Sequence, residues 1–282
     1  MPEFTDAHGV TITYDVHPAR TSPRGVVQLL HGVGEHAGRY GALAAALADA
    51  GFTVYADDHR GHGRTGMAQW HDPARLGRLG PGGHRAAVEA VWQFTRLIRA
   101  ENPDLPLVLL GHSWGSFLAQ ILVNRHPDAY DAVVLSGSAL RVPGSLNAGD
   151  LNARWKADGA MGTEWLSSDH AVGRAFLDDP LTTTRPLLAL FGPLDALRLF
   201  GRPRRNLGRD LPLLLMVGAE DSVGGPRSVH RLAAAYRERS GLTDVTTLVY
   251  PGARHEIFNE TVQADVRADL LAWLDARFPA RA

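Results

Sequence analysis

The 282-residue chain contains no cysteine and only one lysine, Lys156. The absence of cysteine excludes disulfides, thiol nucleophiles, Fe–S clusters and Cys-ligated zinc, so covalent catalysis needs another nucleophile. Lys156 is followed by Ala157, not Ser or Thr, which excludes the P-loop signature and leaves Schiff-base chemistry one candidate residue. An excess of either charge is also lacking: 29 Lys and Arg stand against 30 Asp and Glu, a formal net charge of -1. No long-range field therefore favours nucleic acid or an anionic surface. Missing too is any run of about eighteen apolar residues. The opening MPEFTDAHGV has neither the basic nor the apolar region of a signal peptide. These absences lead to the expectation of a cytoplasmic protein that does not span a membrane.

What is present is an ordinary globular composition, 45% hydrophobic and 21% charged, with 30 Gly and 17 Pro. Short apolar runs alternate with longer stretches of helical periodicity, the pattern of βαβ units. Strands are expected near Val10–His17, Gly25–Leu30, Phe52–Asp58, Leu105–Gly111, Ala132–Ser136, Pro212–Gly218 and Val245–Pro251. Helices are expected around Tyr40–Ala50, Gly83–Ala100, Gly115–Arg125, Pro226–Arg239 and Thr261–Arg277. The fold class is α/β, a mostly parallel twisted sheet flanked by helices. The alternation fails between Leu140 and Asp210, where apolar residues sit in helical patterns without a strand. Residues 140–210 read as a helical cap resting on the sheet, inserted between core parts 1–139 and 211–282.

Gly111-His112-Ser113-Trp114-Gly115 matches G-x-S-x-G, with a strand pattern before it and a helix pattern after it. That context describes a nucleophile elbow, a sharp turn that lifts a serine hydroxyl above the sheet. A serine hydroxyl needs a base, and the base needs an orienting acid. Two later strands end in Ala219-Glu220-Asp221-Ser222 and Gly252-Ala253-Arg254-His255-Glu256. They supply Asp221 as the acid, with Glu220 as its competitor, and His255 as the base. Two N–H donors for a tetrahedral oxyanion are expected from Trp114, after the nucleophile, and from Val33 in the turn His31-Gly32-Val33-Gly34 after an early strand.

The segments His31–Tyr40, Asp58-His-Arg-Gly-His-Gly63, the GHSWG elbow and Gly252–Glu256 resemble the monoacylglycerol lipase and lysophospholipase branch of the α/β-hydrolases, the serine aminopeptidase S33 type. The similarity runs over nearly the whole chain and weakens in the insertion. It implies Ser113 as nucleophile, Asp221 as charge-stabilising acid, His255 as base, Val33 and Trp114 as oxyanion donors, and ester hydrolysis without a cofactor. The family commonly has Met after the nucleophile and Gly after the elbow's last glycine, where this chain has Trp114 and Ser116. An indole there is expected to narrow the acyl pocket. Lactone, peptide or amide hydrolysis and acyl transfer use the same three residues and stay open as alternatives.

Three other patterns compete. Gly32-Val-Gly-Glu-His-Ala37 fits a dinucleotide fingerprint, with Asp57 or Asp58 placed for a ribose, which would make an NAD-binding oxidoreductase. That reading leaves Ser113, Asp221 and His255 unexplained. His59 and His62 could suggest a metal pair, but Gly61 and Gly63 argue against a helix there, and a turn tied down by side chains is the simpler expectation, with no metal. Arg202, Arg204, Arg205 and Arg209 read as a solvated basic loop before they read as a phosphate site. Substrate choice is assigned to the insertion, where Leu190, Phe191, Leu194 and Leu197 are expected to line an acyl channel or touch a lipid surface. The expected partner is a small ester or lipid, with transient membrane-surface contact through the cap and no nucleic acid.

Overall fold

The computed structural model describes residues 1–147 and 149–280. In chain order the elements are β1 (Glu3–Thr5), β2 (Thr11–His17), β3 (Gly25–Leu30), α1 (Gly41–Asp49), β4 (Phe52–Asp57), α2 (Gly63–Trp70), α3 (Gly83–Glu101) and β5 (Leu107–His112). There follow α4 (Trp114–Arg125), β6 (Ala132–Ser136), α5 (His170–Asp178), α6 (Leu187–Leu197), β7 (Leu213–Gly218), α7 (Gly225–Ser240), β8 (Val245–Tyr250) and α8 (Gln263–Asp275). The strands form one sheet in the order β1-β2-β4-β3-β5-β6-β7-β8. β1 and β2 pair antiparallel at one edge, and β4 onward is parallel.

β3, β5 and β7 are buried at every position because helices cover both faces, which is why they read as mostly apolar runs, with Gln28 and His112 the polar exceptions. One face packs residues of α3, α4 and α7, including Phe94, Leu118 and Leu232. The other packs α1 and α8 through Leu43, Leu47, Val266 and Leu270. The connection from β3 leads to β4 on one side, whereas β5 lies on the other, so the strand order reverses at the β3/β5 pair. Crevices at such reversals, outside the carboxyl ends of the strands, are where ligands bind in open α/β sheets. Leu30 stands opposite Gly111 there, which brings the turn after β3 beside the turn after β5.

Two elements depart from the expectation. β1 is three residues long and too short to show an alternation. α2 begins at Gly63, where the glycines argued against a helix. It carries no strong apolar stripe and is held by side chains instead: Thr65 Oγ1 accepts from Thr13 N at 2.9 Å and Gln69 Oε1 from Gly61 N at 2.9 Å. His59 to His62 themselves lie in the turn before it. Between β6 and β7 no strand occurs among the described residues, only α5, α6 and short turns. α6 is broken at Gly192, whose φ of 72° and ψ of 170° precede Pro193.

Candidate active site

β5 ends at His112 and α4 begins at Trp114, so Ser113 alone makes the turn, at φ 52° and ψ -122°. A residue with a Cβ held there stores on the order of 1–3 kcal/mol of strain, which the surroundings must over-determine. The two elbow glycines make the approach tight. A Cβ on Gly111 would lie 2.5 Å from Gly115 O, and one on Gly115 would lie 2.2 Å from Leu30 O. α4 therefore passes directly beneath the end of β3, and Ser113 is presented half-buried at the strand reversal.

The turn after β3 closes against it. A Cβ on Gly32 would lie 3.0 Å from Ser113 Cβ. Glu35 Oε1 accepts from Gly32 N at 2.5 Å and from Tyr40 Oη at 2.7 Å, so the Gly32 N–H is taken up by a carboxylate of the same turn. Val33 N–H makes no hydrogen bond among the described residues. Trp114 N–H, first in α4, has no partner one turn earlier in the helix.

On the other side, Asp221 Oδ2 lies 3.0 Å from His255 Nδ1, and both side chains are almost wholly buried. Asp221 Oδ1 accepts from Val223 N at 2.7 Å. Burial opposes the charge of Asp221, but His255 and these hydrogen bonds outweigh it and hold the carboxyl below its usual range. His255 is likewise opposed by burial, and Asp221, helped by Glu256 and Glu35, pushes it above its ordinary value. Its outer nitrogen, Nε2, has no hydrogen-bond partner among the described residues. Glu220 is spent on backbone pairing, its N–H donating to Ala253 O at 2.9 Å, and its carboxylate makes no contact with His255.

Behind these groups lies a charged buttress that motif reading missed. Arg39 donates to both Glu256 oxygens at 2.6 and 2.8 Å and to Glu35 Oε2 at 2.9 Å. Burial works against the Arg39 cation, but the two carboxylates raise its pKa above the usual arginine value. Desolvation leaves Glu35 raised, whereas Glu256, resisted by burial but gripped bidentately, is lowered. The network joins the turn after β3 to the loop carrying His255. Glu35, Arg39 and Glu256 lie inside the quoted motifs, and their only signal was charge beside segments that had to be buried. His112, with its ring 4.7 Å from that of His255, is neutral because burial lowers its pKa to about 3.

The Trp114 indole turns away from solvent. It stacks on His62 at 5.2 Å and meets His59 and Phe191 edge-on at 5.4 and 5.1 Å. Leu190 and Phe191 are buried with it in the core, Leu190 filling the space over Gly77. Leu194 and Leu197 are each 64% exposed. The four residues therefore fall into two pairs, one buried and one facing solvent, on either side of the break at Gly192-Pro193. His59 Nδ1 pairs with Asp57 Oδ2 at 2.7 Å and His62 Nδ1 with Arg60 O at 2.9 Å, which ties down the turn. Arg202, Arg204 and Arg205 are exposed.

Residues 21–262 match the serine aminopeptidase S33 family. The chain belongs to that family. Among its relatives is a monoacylglycerol lipase of Mycolicibacterium smegmatis, 36% identical over 290 residues, covering 96% of this chain and 95% of that protein. Solved structures of the same fold include a carboxyl esterase from Bacillus coagulans, with TM-score 0.85, 24% identity and 98% of each chain covered. A lipase in its open form superposes with TM-score 0.77 at 27% identity, over 99% of this chain and 98% of that one. Family, relatives and structures together support an ester-hydrolysing α/β-hydrolase.

Proposed function

We propose that this hydrolase cleaves monoacylglycerols or similar single-chain lipid esters through an acyl-enzyme on Ser113. The observation that carries the reading is the buried Asp221–His255 pair at 3.0 Å, after the carboxyl ends of β7 and β8, at the same end of the parallel strands as the strained Ser113 turn. His255 Nε2 takes the Ser113 proton as Oγ adds to the ester carbonyl, and Asp221 fixes the imidazole tautomer and stabilises the imidazolium. Val33 and Trp114 N–H groups receive the oxyanion. The imidazolium protonates the departing alcohol, the acyl group stays on Ser113, and water activated by the same histidine releases the acid.

Residues 140–210 act as the cap in this reading. They lean on the site through Glu256 N to Leu166 O at 2.7 Å and His255 N to Trp165 O at 3.3 Å. Leu188, Leu194 and Leu197 are exposed on α6, which suits contact with a lipid surface. No helix among the described residues is long and apolar enough to cross a membrane. The deciding experiment is hydrolysis of monoacylglycerols, lysophospholipids, p-nitrophenyl esters and lactones by wild type and Ser113→Ala. Monoacylglycerol turnover that vanishes in Ser113→Ala is expected. Activity surviving that substitution, or a lactone far exceeding every acyclic ester, would overturn the reading.

A further inference from the structure

The turn that carries Val33 is held by the carboxylates of Glu35 and Asp58 at its two ends, by Arg39 and Tyr40 at the Glu35 side chain, and by the cap at Gly34 and His36. Gly32 N–H is bound by Glu35 Oε1 at 2.5 Å, and Ala37 N–H by Asp58 Oδ1 at 2.9 Å. Between these anchors, the only hydrogen bond to the backbone of Val33 or Gly34 among the described residues is Thr183 N donating to Gly34 O at 2.8 Å. Gly34 has φ 79°, and a Cβ there would lie 2.5 Å from Thr183 O, so the two backbones run in direct contact. Two residues on, His36 Nε2 lies 2.8 Å from Asp179 Oδ2, and His36 Nδ1 accepts from Gly38 N at 3.2 Å. An accepting Nδ1 requires the proton on Nε2, so His36 donates to Asp179 in its neutral form.

The cap side of this contact is itself ordered. Asp179 Oδ1 accepts from Leu181 N at 2.8 Å, and Asp179 O accepts from Thr182 N at 3.2 Å and from Thr182 Oγ1 at 3.0 Å. A folded turn therefore grips the segment between the anchors at two points, four residues apart on the cap. Oxyanion donors act only when preorganised, within about 2.7–3.1 Å of where the charge develops. A peptide whose middle is free to rotate does not meet that demand.

We propose that Asp179, with the Thr183 backbone, is a positioning element that sets the Val33 N–H for the oxyanion, so that seating the cap and completing the oxyanion hole are one event. The inference rests on the Ser113 reading above. It makes a demand that a merely structural cap does not: loss of the contact must lower kcat and transition-state affinity together and leave KM nearly unchanged. The test compares Asp179→Ala, Asp179→Asn and His36→Gln with Asp178→Ala, an exposed neighbour outside the contact. Each is assayed for kcat and KM on a short soluble ester, inhibition by a trifluoromethyl ketone whose hemiketal carries the oxyanion, and thermal midpoint.

Asp179→Ala is expected to lose about tenfold in kcat and a matching factor in ketone affinity, less than the roughly hundredfold or more for deleting a donor outright. Asp179→Asn, which keeps an acceptor oxygen, should recover most of the loss, and Asp178→Ala should match wild type. His36→Gln reports on the same bond from the sheet side if Asp179→Ala does not fold. Unchanged kcat with raised KM, ketone affinity independent of Asp179, or an equal loss in Asp178→Ala would overturn the proposal. A wild type that the ketone does not inhibit, or Ser113→Ala that retains hydrolysis, would instead overturn the underlying reading.

Discussion

Glu220 and Asp221 carry the same chemistry one residue apart, and the turn after β7 decides between them by facing Asp221 into His255. Asp221→Asn removes the acceptor for the Nδ1 proton and favours the wrong tautomer, and the comparable change in a serine protease costs on the order of 10⁴ in kcat. A loss of that order is expected at Asp221, with Glu220→Gln near wild type; a silent Asp221 beside a crippled Glu220 would reverse the assignment. On the proposed mechanism the same pair sets the pH profile. His255 must be neutral to accept a proton, and Asp221 with Glu256 raises its pKa against the effect of burial. kcat/KM should therefore rise with pH through one ionisation centred above 6.5, the ordinary value. In Asp221→Asn burial is less opposed, and the midpoint should fall; a midpoint that stays put in the variant would separate Asp221 from the titrating group. Ser113, His255 and Asp221 were singled out because each follows a strand pattern in the chain order of this chemistry, and the structure places Asp221 against His255 and Ser113 in a strained turn. Glu35, Arg39 and Glu256 were not, since nothing in a linear sequence says that charges 217 residues apart share one buried cluster.

Elements were legible where an apolar run had one meaning. β3 and β6 fall on the expected residues because strands buried on both faces are mostly apolar, the exceptions Gln28 and Ser136 being hydrogen-bonded where they lie. α2 was hidden because side-chain hydrogen bonds hold it where an apolar stripe ordinarily would. α6 was legible as apolar but not as broken, and the break decides that Leu190 and Phe191 face Trp114 whereas Leu194 and Leu197 face solvent. The elbow glycines are a matter of element packing as much as of turn strain. In Gly115→Ala the new methyl would meet Leu30 O at 2.2 Å, a backbone atom fixed in the central sheet. α4 must then move off β3, and overpacking of this kind costs about 1–3 kcal/mol. The variant should show a lower thermal midpoint and, because α4 carries both Ser113 and Trp114 N–H, a larger loss of kcat than the destabilisation accounts for. Full activity with an unchanged midpoint would mean that α4 does not approach β3 as described.

At the scale of the whole molecule, the proposed function has the sheet fix the reacting groups and leaves the cap to set which acyl group reaches them. The net charge of -1 supplies no overall attraction to a lipid surface, and the proposed function has selection among acyl chains come from apolar contact. Trp114, Leu190 and Phe191 pack together beside the elbow, which on the proposed function is where the acyl chain of a lipid ester is expected to lie. Opening that cluster exchanges protein contacts for substrate contacts, and each methylene then buried contributes about 0.8 kcal/mol. Four added methylenes amount to roughly 3 kcal/mol, about two powers of ten in kcat/KM if the contacts are kept in the transition state. kcat/KM should accordingly rise from acetate to medium-chain esters, measured up to dodecanoate below the micelle threshold. Phe191→Ala removes a ring that the chain must displace and should move the optimum to longer chains. Trp114→Met should do the same at closer range to Ser113, since its backbone N–H is unchanged and only the indole is lost. A rate that falls steadily from acetate onward in wild type, and keeps falling in both variants, would mean that the ring cluster is a closed wall and that the substrate is a short or aromatic ester.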